Sequence, residues 1–178
     1  MSVMSENPAI SNLSDDHLRL FGRIVQIYAR YELLMQCLMA RVAGCTPAAV
    51  MILTRGLDFS GKREAVLDLL RHSKIPLDQF DRINKLLVVP ATLNQLRHDV
   101  AHCIWVKGEA PDSIQPDWIL QPVPSVRPLH LTPESALPVE TDADRVTYSL
   151  DQLDAACANL EGNLATLEDY LGEIGLGI

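Results

Sequence analysis

The sequence predicts an all-α protein, a bundle of four principal helices with a Pro-rich insert before the last one. Two long segments, one near each end of the chain, have the apolar periodicity of amphipathic helices. Seven of the eleven prolines lie between Gly108 and Pro138, a density that prevents a helix of useful length there. With 178 residues, 48% of them hydrophobic, the chain suits one domain. We place this domain at 14–178, with the insert at about 104–148, and expect a flexible tail at 1–13.

The first long helix is predicted from about Asp15 to Val42. Ser14 is a suitable N-cap, and the acidic residues that follow it favour a helix N-terminus. Apolar residues recur at steps of three and four: Leu20, Phe21, Ile24, Ile27, Tyr28, Tyr31, Leu34, Met35, Leu38 and Val42. This stripe is broader than one packing face needs, so we expect contacts on two sides. Gly44 is the predicted end.

Shorter helices are predicted over 47–55, 61–72, 77–89 and 91–103. Ser60 is placed to cap the second of these, and Pro90 is expected to interrupt the chain between the last two. The insert is expected to hold a hairpin or ribbon with candidate strands Cys103–Val106, Trp118–Leu120 and Val146–Tyr148. Trp105 and Trp118 are candidate anchors against the bundle.

The closing helix has the clearest start. Ser149 and Gln152 form a capping-box pattern. Behind it runs a heptad seam: Leu150, Leu153, Cys157, Leu160, Leu164, Leu167, Leu171 and Ile174. Such a seam is buried inside the chain's own bundle or also pairs with a second subunit.

Charge and hydropathy restrict the functional classes. The net charge of −8 disfavours a general nucleic-acid binder, and we expect no DNA partner. A local basic pocket is still compatible with this acidic net charge. No apolar run approaches the ~20 residues of a membrane span, and the N-terminus lacks the pattern of a signal peptide. We therefore expect no membrane partner and a cytoplasmic location.

Residues 97–102, Arg-His-Asp-Val-Ala-His, form the candidate site. In a helix His98 and His102 share one face, and the long side chain of Arg97 can swing to the same end. Asp99 points elsewhere, where it can orient a ring or pair with another cation. Glu32 lies in an otherwise apolar part of the first helix, and a partly buried carboxylate there needs a cationic partner.

This cluster resembles the signature of the HEPN superfamily, helical bundles named for higher eukaryotic and prokaryotic nucleotide binding. The family has an R-x4–6-H motif near the end of its third core helix, usually with Asn, His or Asp after the Arg. Arg97, His98 and His102 match this pattern. Further similar segments are Tyr31–Leu34, Phe59–Lys62, His102–Trp105 and Tyr148–Ser149. The resemblance covers about 15–106 and 148–174.

The resemblance implies a metal-independent endoribonuclease that needs no cofactor. His102 would act as the base that deprotonates the 2′-hydroxyl of RNA, and Arg97 would bind the scissile phosphate. His98 would position substrate or assist proton transfer, and Glu32 and Asp99 would be supporting residues. The products would be a 2′,3′-cyclic phosphate and a 5′-hydroxyl. Similar proteins are homodimers with a shared cleft, and often act as toxins or antiphage effectors neutralised by an antitoxin or nucleotidyltransferase partner.

Two alternatives remain open at this stage. A non-catalytic HEPN-like dimer, serving protein interaction or nucleotide sensing, is favoured by the acidic charge and by two departures from the family. These are His98 where Asn is common and Cys103 where Gly often follows the His. A metal-dependent hydrolase would use His98 and His102, because their spacing is similar to that of the H-E-x-x-H zinc helix. No third ligand is evident, because His130 lies in the Pro-rich segment and Glu109 is near only in sequence, so we predict no metal site.

Overall fold

A computed structural model describes residues 13–108, 110, 112–117 and 147–177, and it shows a mostly helical chain with a small three-stranded sheet. The described elements are α1 (Asp15–Ala43), α2 (Pro47–Thr54), α3 (Phe59–His72), α4 (Leu77–Thr92), α5 (Asn94–His102), β1 (Ile104–Lys107), β2 (Ser113–Asp117), β3 (Tyr148–Ser149) and α6 (Leu150–Glu173). Most of the predicted tail, the candidate strand Trp118–Leu120 and the candidate anchor Trp118 lie outside the described residues.

Helix α1 is the central element, packing against α2, α3, α5 and α6. The Ser14 hydroxyl caps its start by accepting from the backbone N–H of His17. Gly44 ends it in the left-handed conformation, with φ of 65°. The predicted start is confirmed and the predicted end is one residue short. Because α1 touches four other helices, its broad apolar stripe is used on more than one side.

The seam of α6 is filled by the chain's own core. Its central members, Leu153, Cys157, Leu160, Leu164, Leu167 and Leu171, are at most 1% exposed. The Tyr31 hydroxyl of α1 lies 3.0 Å from the Leu160 carbonyl and 2.7 Å from Oδ1 of Asn163, which ties the two helices together. The predicted capping box of Ser149 and Gln152 is present. The seam is therefore not a surface left for a second subunit.

Two predicted boundaries in the middle of the chain are wrong. Asp58, not Ser60, caps α3, because the Asp58 carboxylate accepts from the N–H of Gly61 at 2.7 Å. Helix α4 continues through Pro90 and breaks at Leu93 instead. Proline removes one backbone donor from its own position, and the helix has only two further residues to complete. The Tyr28 hydroxyl, 2.7 Å from the Pro90 carbonyl, fixes this segment against α1.

The insert begins with a hairpin, as the sequence predicts. Strands β1 and β2 are antiparallel, and β3 pairs with the other edge of β2. Strand β2 was not among the candidate strands, and it contains Pro116, which has no N–H to donate to a neighbouring strand. Among the described residues, β3 pairs with Ser113 and Ile114 of β2. Trp105 is buried with its ring 4.8 Å from that of Phe21, and so anchors the hairpin to α1.

No described helix is long and apolar enough to cross a membrane alone. Helices α1 and α2 together have the length and the apolar composition of a membrane span, but the chain bends by 112° between them.

Candidate functional site

Helix α5 distributes the motif residues over different faces. Successive residues of an α-helix are turned by about 100°, so His98 and His102 project within about 40° of each other. Arg97 and Asp99 lie to either side of this pair, and the buried Leu96 lies on the opposite side of the helix. Both histidines are exposed, Arg97 is half-buried and Asp99 is 1% exposed. The motif therefore combines an open face with two flanks that contact the bundle.

The Arg97 flank is an ion-pair cluster of three helices. Nη2 of Arg97 donates to Oε1 of Glu32 in α1 at 3.1 Å. The other oxygen of the same carboxylate accepts from Nζ of Lys62 in α3. The three side chains are only 12–26% exposed, so solvent screens their attraction less than at an open surface. Glu32 thus holds two cations side by side, and the cluster carries one net positive charge.

Tyr28 lies beneath the Arg97 side chain. The Arg97 guanidinium carbon is 6.0 Å from the centre of the Tyr28 ring, at the outer limit of a cation–π contact. Burial raises the pKa of Tyr28, and the positive charge of Arg97 offsets part of that rise. Tyr28 is therefore a neutral platform that helps to fix the guanidinium.

The Asp99 flank is a partly buried polar network centred on the buried Asp99 carboxylate. One carboxylate oxygen accepts from Nε2 of Gln95 at 2.7 Å, and the other lies 3.4 Å from the Tyr148 hydroxyl of β3. Burial raises the pKa of Asp99, partly offset by the Gln95 hydrogen bond and by His98. Burial and the charge of Asp99 likewise raise the pKa of Tyr148 to about 12. Asp99 therefore connects the motif helix to the strand that closes the insert.

The two histidine rings lie together on the open face. Their centres are 4.8 Å apart, with the planes inclined by 51°. Within the described part of the chain, neither ring has a hydrogen bond or an ion pair. Two neighbouring imidazoles exposed to solvent can exchange protons with a ligand or donate lone pairs to a cation.

The structure brings together some of the predicted site residues and separates others. It pairs Arg97 with Glu32 and places His98 beside His102, as the sequence predicts. In the described ranges, no hydrogen bond joins Arg97 to either histidine. Asp99 has the amide of Gln95 and the phenol of Tyr148 as hydrogen-bond partners, and His98 offsets part of the rise in its pKa.

Sequence analysis missed Lys62, Gln95 and Tyr148. Lys62 was noted only as part of a segment similar to the family, because nothing in the sequence places it near Glu32. Gln95 stands four residues before Asp99, and this spacing could have identified it. Tyr148 is 49 positions away from its partner Asp99 and gives no local signal.

The predicted absence of a metal site stays a prediction. In the described ranges no three or more His, Cys, Asp or Glu side chains form a group that could hold a metal ion. His130 and Glu109 lie outside those ranges.

No family model matches the chain, and no curated protein or solved structure matches it.

Proposed function

We propose that the chain is a metal-independent endoribonuclease of HEPN type, with His98 and His102 as its proton-transfer groups. The observation that supports this most is the open histidine pair beside a partly exposed cation cluster. Imidazoles serve as bases and acids near neutral pH, and guanidinium binds phosphate oxygens. Both are needed at a ribonuclease site, and the motif offers both on one helix.

The proposed step needs only RNA and the two imidazoles. His102 takes the proton of the 2′-hydroxyl, and the 2′-oxygen bonds to the adjacent phosphorus. The bond between phosphorus and the 5′-oxygen breaks, and that oxygen receives a proton from the charged His98. The products are a 2′,3′-cyclic phosphate and a 5′-hydroxyl, so atoms and charge balance without a metal or cofactor.

The ion-pair cluster would hold the phosphate. The contact to Glu32 uses one nitrogen of Arg97, and a guanidinium has further N–H donors for an anion. Glu32 and Lys62 would act as positioning residues, because they fix the guanidinium before substrate arrives. The positive charge left over in this cluster gives an otherwise acidic chain a local attraction for RNA.

The test is cleavage of labelled RNA by metal-free protein in excess EDTA. We expect fragments with 2′,3′-cyclic phosphate and 5′-hydroxyl ends. His102→Ala should remove the activity, whereas His72→Ala, which changes an exposed histidine in α3, should not. Equal cleavage by His102→Ala and wild type would show contamination and defeat the proposal.

We also propose that the chain forms a homodimer whose two motif helices form a shared cleft. The protein would act in the cytoplasm. Apolar residues that this chain leaves exposed support association: Leu18, Val25 and Leu33 in α1, and Met51, Ile52 and Leu53 in α2. A two-fold contact is the commonest arrangement. Light scattering should give twice the 19.7 kDa chain mass, and a monomer mass at tens of micromolar would refute the dimer. A toxin or antiphage role with an antitoxin or nucleotidyltransferase partner belongs to the same proposal.

A second candidate function is a non-catalytic module for protein interaction or nucleotide sensing. The Arg97–Glu32 ion pair favours it, because the guanidinium already has an anionic partner within the fold. This module would form the same dimer and cleave no RNA under any tested condition. The EDTA cleavage assay therefore separates it from the nuclease.

A further inference from the structure

The histidine pair also has the spacing of a metal chelate. His98 and His102 stand one helical turn apart, and their ring centres are 4.8 Å apart. Two imidazoles that bind one Zn²⁺ at Zn–N distances of ~2.0–2.1 Å have ring centres about 4.5–5.2 Å apart, for bond angles between a right angle and the tetrahedral angle. The observed spacing falls inside this range.

Nothing in the described part of the chain competes for these nitrogens. Both rings are exposed and have no hydrogen-bond partner there. The carboxylates of the two flanks are already engaged, Asp99 by Gln95 and Tyr148 and Glu32 by two cations. A metal on the pair would complete its shell with water. Two protein ligands make a weaker site than the three or four of catalytic and structural zinc, so binding would be reversible.

We propose, against the absence of a metal site predicted from the sequence, that His98 and His102 alone bind one Zn²⁺ ion per chain reversibly, and that the bound ion inhibits the site. A coordinated imidazole has its lone pair on the metal, so it cannot take a proton from the 2′-hydroxyl. Metal binding itself does not depend on the ribonuclease, whereas the inhibition rests on the function proposed above. The metal is thus an inhibitor of a metal-independent reaction.

Calorimetric titration of Zn²⁺ into metal-free protein tests the binding without RNA. The protein should carry no affinity tag, and the buffer should not chelate zinc. Wild type should bind one ion per chain, and His98→Ala and His102→Ala should each weaken binding on the order of tenfold or more. His72→Ala is the matched control and should bind like wild type. Equal binding by all four proteins, or none by wild type, would overturn the proposal.

The inhibition has its own test. Zn²⁺ at a concentration that saturates the pair in the calorimetric titration should suppress RNA cleavage by wild type, and EDTA should restore it. Cleavage that persists while calorimetry shows the pair saturated would refute inhibition by chelation. If no RNA is cleaved at all, the ribonuclease proposal fails, while zinc binding that depends on His98 and His102 still stands.

Discussion

Helix α5 carries two kinds of polar residue, and they differ in how the rest of the chain engages them. Arg97 and Asp99 are held on the flanks, one by Glu32 and the other by Gln95 and Tyr148. His98 and His102 project from the open face and contact each other. The flanks fix where the helix lies, and the open face is available to a ligand. Substitutions on the two sides should therefore have different consequences.

The largest expected effect is on activity, at the open face. His102→Ala and His98→Ala should each reduce RNA cleavage by about 100-fold or more, because a positioned acid or base contributes that much. Their melting temperatures should be close to that of wild type, since within the described residues neither exposed ring has a hydrogen bond or an ion pair to lose. A melting temperature lowered by many degrees in either variant would place these histidines among the structural residues.

The next effect is on stability, at the Arg97 flank. Glu32→Gln should lower the free energy of unfolding by about 1–3 kcal/mol, because two partly buried cations lose their shared anion. Chemical denaturation measures this. Asp68→Asn is the matched control, since Asp68 forms an exposed ion pair with Arg71 and should change stability by under about 0.5 kcal/mol. Equal effects of the two substitutions would show that the cluster behaves as an ordinary surface.

This contrast also explains what the sequence could predict. The start of α1, the Gly44 stop and the capping box of α6 follow from local rules, so they are readable from a few neighbouring residues. The Pro90 break is wrong, since the helix continues to Thr92, and the hydroxyl of Tyr28, distant in sequence, contacts the Pro90 carbonyl. The histidine pair is a local i, i+4 feature and was predicted. Lys62 and Tyr148 reach the site through tertiary packing, which periodicity does not encode.

A smaller, pH-dependent effect is expected at Asp99. Burial raises the pKa of Asp99 in the folded chain above the ordinary value of 3.8. At a pH between the ordinary pKa and this raised pKa, the folded chain therefore binds more protons than the unfolded chain. The stability that this group contributes is complete below the unfolded pKa and is lost as the pH rises through the folded pKa. Asp99→Asn should therefore gain stability relative to wild type as the pH rises from about 4 to about 7.

Urea unfolding of both proteins at the two pH values measures this gain. The asparagine keeps groups that can bond to Gln95 and Tyr148, so the comparison isolates the charge. A variant that loses stability relative to wild type over the same interval would show that the ionised carboxylate is favourable where it lies.

The smallest effect is expected from the Tyr148 hydroxyl. Its contact with Asp99 is 3.4 Å long, and a hydrogen bond of that length is weak. Tyr148→Phe should lower the free energy of unfolding by less than about 1 kcal/mol, because the ring still packs 5.7 Å from that of Trp105. Tyr148→Ala removes the ring as well and should cost about 2 kcal/mol or more. If Tyr148→Phe is as damaging as Glu32→Gln, then the Asp99 network holds the motif helix as firmly as the ion-pair cluster, and the two flanks are equivalent.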